Sequence, residues 1–197
     1  MAVYWSLCDC ILDISHNALH SGAALVNLKI EEQATKLHFL VQDNGRGMTE
    51  AEQKLACDPF VSDQLNHPGR QIGLGLPMLI QAIETVQGDF KIESRPGDGT
   101  TVQSVFPLSH IDTPPMGDVT STVCSLLNYR PDIEIMVFRS YCDPDTMQEA
   151  SYSIKRSELI EVLGELDSLA SQTMLRKFIQ SQEDWIKGEG INGTNES

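Results

Sequence analysis

The sequence predicts a two-layer α/β sandwich: a mixed, mostly antiparallel sheet with helices on one face, followed by a small α/β appendage. Two stretches predict the sheet. At residues 24–42 and 90–107, apolar and polar side chains alternate in pairs of runs joined by short polar links. A third observation predicts the helices. Apolar residues recur at three- and four-residue spacing over residues 4–20 and again from Pro77 to Val86.

Leu7, Cys8, Ile11, Leu12, Ser15, Ala18 and Leu19 make one face of the first helix, and Ser21-Gly22 stops it. Ala24, Val26, Leu28 and Ile30 alternate in a first strand; Leu37, Phe39 and Val41 alternate in a second. Glu32 to Thr35 is the polar link between them, and Asp43-Asn44-Gly45 breaks the second strand. Thr49, with Glu52 three residues on, reads as a capping box opening a short helix. Residues 58–72 lack periodicity and contain Pro59, Pro68 and Gly69, so they read as a long loop. The helix from Pro77 closes at Gly88, and the strand Phe90–Ser94 turns at Arg95 to Gly99 into the strand Thr100–Pro107.

Thr113-Pro114-Pro115 marks a boundary, which divides the chain into a domain at 1–109, an appendage at 110–187 and a flexible tail at 188–197. The appendage reads as a helix at 119–127, strands at 133–140 and 149–154, and a helix at about 167–187.

The 197 residues carry 14 Lys and Arg against 28 Asp and Glu, a net charge of −14. A surface this acidic repels phosphate backbones and anionic lipid, which argues against nucleic-acid and membrane partners. Its lack of a motif makes the acidic appendage a candidate protein-docking surface. No apolar run has the length of a bilayer span, and Met1 to Cys10 does not read as a secretory signal. Five cysteines without a C-x-x-C spacing disfavour a disulfide framework or zinc ribbon, so a reducing cytoplasm is the expected setting.

Four clusters carry chemistry. Asp13 and Asn17 lie four apart on the first helix and share a face. An amide oxygen there can enter a Mg²⁺ shell completed by phosphates and water, and a carboxylate one turn away can act as a base. Asp43 to Met48 follows a strand. A carboxylate at a strand end can accept from an exocyclic amine such as adenine N6, and Gly45 and Gly47 allow close approach of a flat base. Gly73-Leu74-Gly75-Leu76 sits where the long loop meets a helix, whose exposed N–H groups favour phosphate. It is neither a Walker loop nor a dinucleotide fingerprint. Gly97 to Thr101 lies at a hairpin turn. Taken singly, each cluster is also compatible with a plain structural role: a solvated helix face, an Asn-Gly turn, a tight helix start, a hairpin.

In this order and spacing the four resemble the motifs of the Bergerat-fold (GHKL) ATPases, the superfamily of DNA gyrase, histidine kinases, mismatch-repair ATPases and anti-sigma-factor kinases. The resemblance covers about residues 4–108. It implies an ATP site in which Asn17 ligates Mg²⁺, Asp43 binds adenine N6, and Gly45, Gly47 and Met48 shape the base pocket. It further implies that Gly73, Leu74, Gly75 and Leu76 contact phosphates at the hinge of a lid spanning 58–72. Arg70 would reach a phosphate from that lid, and Thr101 would support the adenine. Asp13 takes the place of the base, one methylene shorter than the Glu of the gyrase-like members. His16 superficially resembles a phosphoacceptor, but that box belongs on a separate upstream helix, so His16 is expected to be an ordinary helix residue near the site.

The run Asp13-Ile14, Asp58-Pro59-Phe60, Gly73 to Pro77 and Leu108 to Asp118 is also similar to small stand-alone bacterial ATP-binding proteins found with iron-only hydrogenase subunits. That likeness implies that the C-terminal piece belongs to the same unit. The lid segment Ser62 to His67 is less basic than that group's. Three functions follow from the resemblance: a phosphotransferase acting on a separate protein, an ATP-driven switch with slow hydrolysis, and a nucleotide sensor without chemistry. Partner identity and oligomeric state are left open.

Overall fold

The computed structural model describes residues 4–58 and 75–188. Ser6 caps the first helix, α1 (Leu7–Leu19), by accepting from the Asp9 N–H. Its inward face carries Leu7, Ile11, Ile14 and Ala18. Strands β1 (Leu25–Glu32) and β2 (Lys36–Asp43) form the expected hairpin, with Leu28 opposite Val41 and Ile30 opposite Phe39. The Thr49–Glu52 capping box is present in both directions and opens α2 (Glu50–Cys57). The next helix, α3 (Gly75–Thr85), begins two residues before the expected Pro77. Strands β3 (Asp89–Arg95) and β4 (Gly99–Pro107) make the second hairpin.

Residues 110–187 are α/β as expected: α4 (Val119–Tyr129), β5 (Glu134–Cys142), β6 (Glu149–Lys155), α5 (Arg156–Leu163) and α6 (Leu169–Ile186). Their strands do not form a sheet of their own. β5 pairs in parallel with β1, and the six strands make one sheet in the order β3-β4-β2-β1-β5-β6. All other pairings are antiparallel. The proline-containing boundary is equally well attached. The carbonyls of Pro115 and Met116 accept from the N–H groups of Leu7 and Cys8, both at 2.9 Å. These are two of the donors that a helix start leaves without an internal partner.

One face of the sheet is buried along every inner strand: Val26, Leu28 and Ile30, then Leu37, Phe39 and Val41, then Val102 and Phe106, then Ile135 and Val137. The helices α3, α1, α4 and α6 lie on it, each touching the next. Phe39 and Phe106 stack at 6.3 Å between centroids. Each fully buried side chain of this size contributes about 1.5–3 kcal/mol. The opposite face carries half-exposed side chains such as Lys29, His38 and Gln103.

The helix α5 has no counterpart in the sequence reading. It is short, and its N-cap Lys155 offers no side-chain cap. Its signal is tertiary: Glu134 Oε1 accepts from the Ser157 N–H, and buried Arg156 donates to the carbonyls of Leu127 and Pro131.

Within the C-terminal half lies a buried ionic cluster. Arg139 of β5 is 0% exposed and donates to Glu183 of α6 at 3.3 Å, to the Ser140 carbonyl at 2.6 Å and to Glu32 of β1. Tyr152 donates to the same Glu183 oxygen at 2.7 Å. Burial, with the Glu183 carboxylate beside it, pushes the Tyr152 pKa up. The cluster ties β1, β5, β6 and α6 together at one point.

Candidate functional site

Asp43 is the last residue of β2, and the sheet's alternation turns it toward the helix layer with Val41 and Phe39. Its Oδ1 accepts from the Gly45 N–H and lies 2.8 Å from Ser21 Oγ. Burial raises its pKa above the ordinary aspartate value. The amides of Gly45 and Thr100 and the Ser21 hydroxyl pull the other way. The segment after it is threaded between three elements. Asn44 Oδ1 caps the start of β1 by accepting from Ala24 and Leu25, and the Arg46 N–H donates to the Ser21 carbonyl. The Met48 N–H donates to Ser94 Oγ at 2.8 Å.

The glycines here are required by space. A Cβ on Gly45 would lie 2.0 Å from Ser21 Oγ. Gly47 has φ +64°, and a Cβ on it would lie 1.8 Å from the Arg95 carbonyl oxygen. Gly47→Ala therefore combines left-handed strain with a backbone clash, and it is expected to cost about 3 kcal/mol of stability. Gly97 also has positive φ, +85°, but nothing lies within 4 Å of its Cβ position, so Gly97→Ala should cost only about 1 kcal/mol. Thermal melts of the two variants check this. Equal losses would mean that close approach at Gly47 is not what constrains it.

Asp13 and Asn17 project from the outward ridge of α1, Asp13 half-buried and Asn17 exposed. Gly75, the first residue of α3, packs directly on both. A Cβ there would lie 2.6 Å from Asp13 Oδ2 and 3.2 Å from Asn17 Nδ2. The Tyr4 hydroxyl lies 3.1 Å from Asp13 Oδ2 and 3.1 Å from the Gly75 carbonyl, and can donate to either. Leu76 is buried in the first turn of α3. Arg70, Gly73, Leu74 and nearly all of the segment expected to form a lid lie outside the described residues.

Thr101 does not join the cluster. The β2–β4 register pairs Asp43 with Thr100 and Gln42 with Thr101, so Thr101 faces away from the helix layer. Thr100 takes the inward position, its hydroxyl 2.8 Å from Ser94 Oγ. The expectation is off by one residue, and period-two alternation makes that a change of face. The sequence does not mark Ser21, Ser94 or Tyr4 as site residues. Ser21 read only as a helix stop, and nothing local distinguishes Tyr4 or Ser94.

His16 and His20 flank Asn17 on the same ridge and pack against Tyr129 of α4, with ring centroids at 4.7 and 5.6 Å. His16 Nε2 is buried, and burial, together with nearby His20, lowers the His16 pKa against the opposing pull of Asp13. His20 Nε2 lies 3.1 Å from the Tyr129 hydroxyl.

The family model "Histidine kinase-, DNA gyrase B-, and HSP90-like ATPase" matches residues 4–110, more than half of the chain. The chain belongs to this family. Among curated relatives of this histidine-kinase-like ATPase domain, the histidine-protein kinase/phosphatase DegS of Brevibacillus brevis is 29% identical over 90 residues, covering 46% of this chain and 19% of DegS. Sporulation kinase C of Bacillus subtilis is 32% identical over 84 residues, 43% of this chain and 19% of the kinase. The chain thus spans about a fifth of either relative. Among solved structures, the histidine kinase domain of the blue-light activated kinase from Erythrobacter litoralis is 24% identical. It covers 51% of this chain and 42% of that one, with TM-score 0.36. The mycobacterial sensor histidine kinase MprB is 19% identical, covering 50% and 67%, with TM-score 0.39. No helix among the described residues is long and apolar enough to cross a membrane.

Proposed function

We propose that this histidine-kinase-like domain binds Mg-ATP and transfers the γ-phosphate to a separate protein. The observation that carries the reading is the packing of Gly75 on Asp13 and Asn17. It brings the start of α3, where free N–H groups favour phosphate, beside a carboxylate and an amide able to serve the phosphate end. At the other end, Asp43 is pinned through Oδ1, and a carboxylate has acceptor capacity left for an exocyclic amine. Asn17 supplies an oxygen suited to Mg²⁺. In this reading the ion arrives with the nucleotide, whose phosphates and water fill the rest of its shell. Magnesium would neutralise phosphate charge there. Asp13 would orient or deprotonate the attacking group.

The acceptor is proposed to lie on another molecule because neither histidine beside Asn17 offers a ready Nε2. His16 Nε2 is buried, and His20 Nε2 meets the Tyr129 hydroxyl. A switch reading has one supporting observation. Tyr4 spans Asp13 and the Gly75 carbonyl, so a shift of α3 would be felt at Asp13.

The test is incubation with γ-labelled Mg-ATP, followed by separation of free phosphate from protein-bound label, with and without candidate acceptor proteins. Transfer to an added acceptor supports the proposal. Steady release of free phosphate without transfer favours the switch. Asp13→Asn should lower turnover by roughly 100-fold or more while leaving nucleotide binding intact. Unchanged turnover removes Asp13 as the base. Binding itself is read from melting: nucleotide at 100 times its Kd should add about 2.7 kcal/mol, a rise of roughly 5–11 °C.

A further inference from the structure

Helix α6 has two apolar faces. One, with Leu175, Ile179 and Ile186, is buried against α4 and β6. The other is open: Met174 is 58% exposed, Phe178 41% and Trp185 52%. With exposed Ser181, these four positions follow a 4-3-4 spacing, which lines them up as a seam along the helix. Seams of this kind are covered by another helix.

We propose that the seam is the interface between two copies of this chain, with their α6 helices packed antiparallel. The charges beside the seam select this occupant. Lys177 and Asp184 lie one heptad apart on the same flank. When two antiparallel seams register Met174 against Trp185 and Phe178 against Ser181, Lys177 of each copy falls opposite Asp184 of the other. The match occurs twice by symmetry. Ser181, whose hydroxyl donates to the Phe178 carbonyl of its own helix, leaves room for the opposing Phe178 ring. Charge also favours α6 over the rest of the surface. The chain carries −14, so most faces of two copies repel. On the outward side of α6, Arg176 and Lys177 more than offset Asp184, since Glu183 is buried against Arg139. Because α4 separates α6 from α1, Asp13 and Asn17 stay open on both copies.

Sedimentation of the full chain from low to high micromolar concentration tests the proposal. A concentration-dependent dimer is expected. Phe178→Ala with Trp185→Ala should weaken it at least tenfold with the circular dichroism spectrum unchanged, since both side chains are exposed. Lys177→Glu alone and Asp184→Lys alone should each weaken it, and the two together should restore it, because the swapped charges pair again. A chain that stays monomeric throughout overturns the proposal, whether residues 189–197 or a different protein then prove to cover the seam. A dimer indifferent to the Phe178 and Trp185 changes, or a charge-swapped double variant no better than the single ones, overturns it as well.

Discussion

Asp43→Asn is expected to weaken ATP binding by on the order of 100-fold, about 3 kcal/mol, without loss of stability at neutral pH. The two effects have different origins. On the proposed function, binding falls because the charged acceptor for the adenine amine becomes an amide, which can present an N–H where an acceptor is needed. Stability holds because Asn Oδ1 still accepts from Gly45 and Ser21, and because the native carboxylate is held at a cost. Burial raises its pKa in the folded chain, so over the window just above the ordinary aspartate value the folded state binds more protons than the unfolded one. Stability therefore falls as pH rises through that window, and the ionised group is a net burden at pH 7. Removing the charge removes the burden. Asp43→Ala should lose binding and also some stability, since Gly45 and Ser21 then lose an acceptor. Nucleotide titration and paired melts at neutral and acidic pH check all of this. An Asn variant that binds ATP as the native chain does would remove Asp43 from the base pocket.

Arg139→Met is expected to destabilise the fold by about 3–5 kcal/mol, a fall in melting temperature of roughly 6–20 °C. Arg139 is wholly buried between Glu183 and Glu32, so its removal leaves the 3%-exposed Glu183 with only the half-exposed Lys187 ammonium, 3.9 Å away, as a cation. Pairing Arg139→Met with Glu183→Gln should recover a good part of the loss, because the amide oxygen still accepts from Tyr152 and the undercompensated charge is gone. The double variant leaves Glu32, which is partly exposed and can be hydrated. Melting of the two variants beside the native chain reads this directly. A single variant within a degree of native would show that the cluster is not a structural tie.

The parts of the fold legible from sequence are those with local causes. Alternation marked both hairpins, the Thr49–Glu52 pair marked the start of α2, and the outward ridge of α1 put Asp13 beside Asn17. What was not legible depends on contacts between distant residues. Nothing in residues 134–142 announces a parallel partner: composition marks a boundary at Thr113-Pro114-Pro115, only the likeness to stand-alone proteins implies a single unit, and β5 completes the sheet against β1. Tyr4 reaches Gly75 across 71 positions, and Ser21 reaches Asp43 across 22. Strand parity distinguishes Thr100 from Thr101. Counting back from Val102, which is buried, puts Thr100 inward.

The pairing of β5 with β1 bears on how this protein can be cut. The family match ends at residue 110, which invites excision of that stretch for crystallography or transplantation. Doing so would strip β1 of its neighbour along eight consecutive positions, from Leu25 to Glu32. A raw strand edge would result, with unpaired N–H and C=O groups ready to template aggregation. The same cut would take away the carbonyls of Pro115 and Met116 that seat the start of α1. The smallest piece that folds cleanly should therefore reach past β5, and one that also closes the Arg139 cluster must reach Glu183.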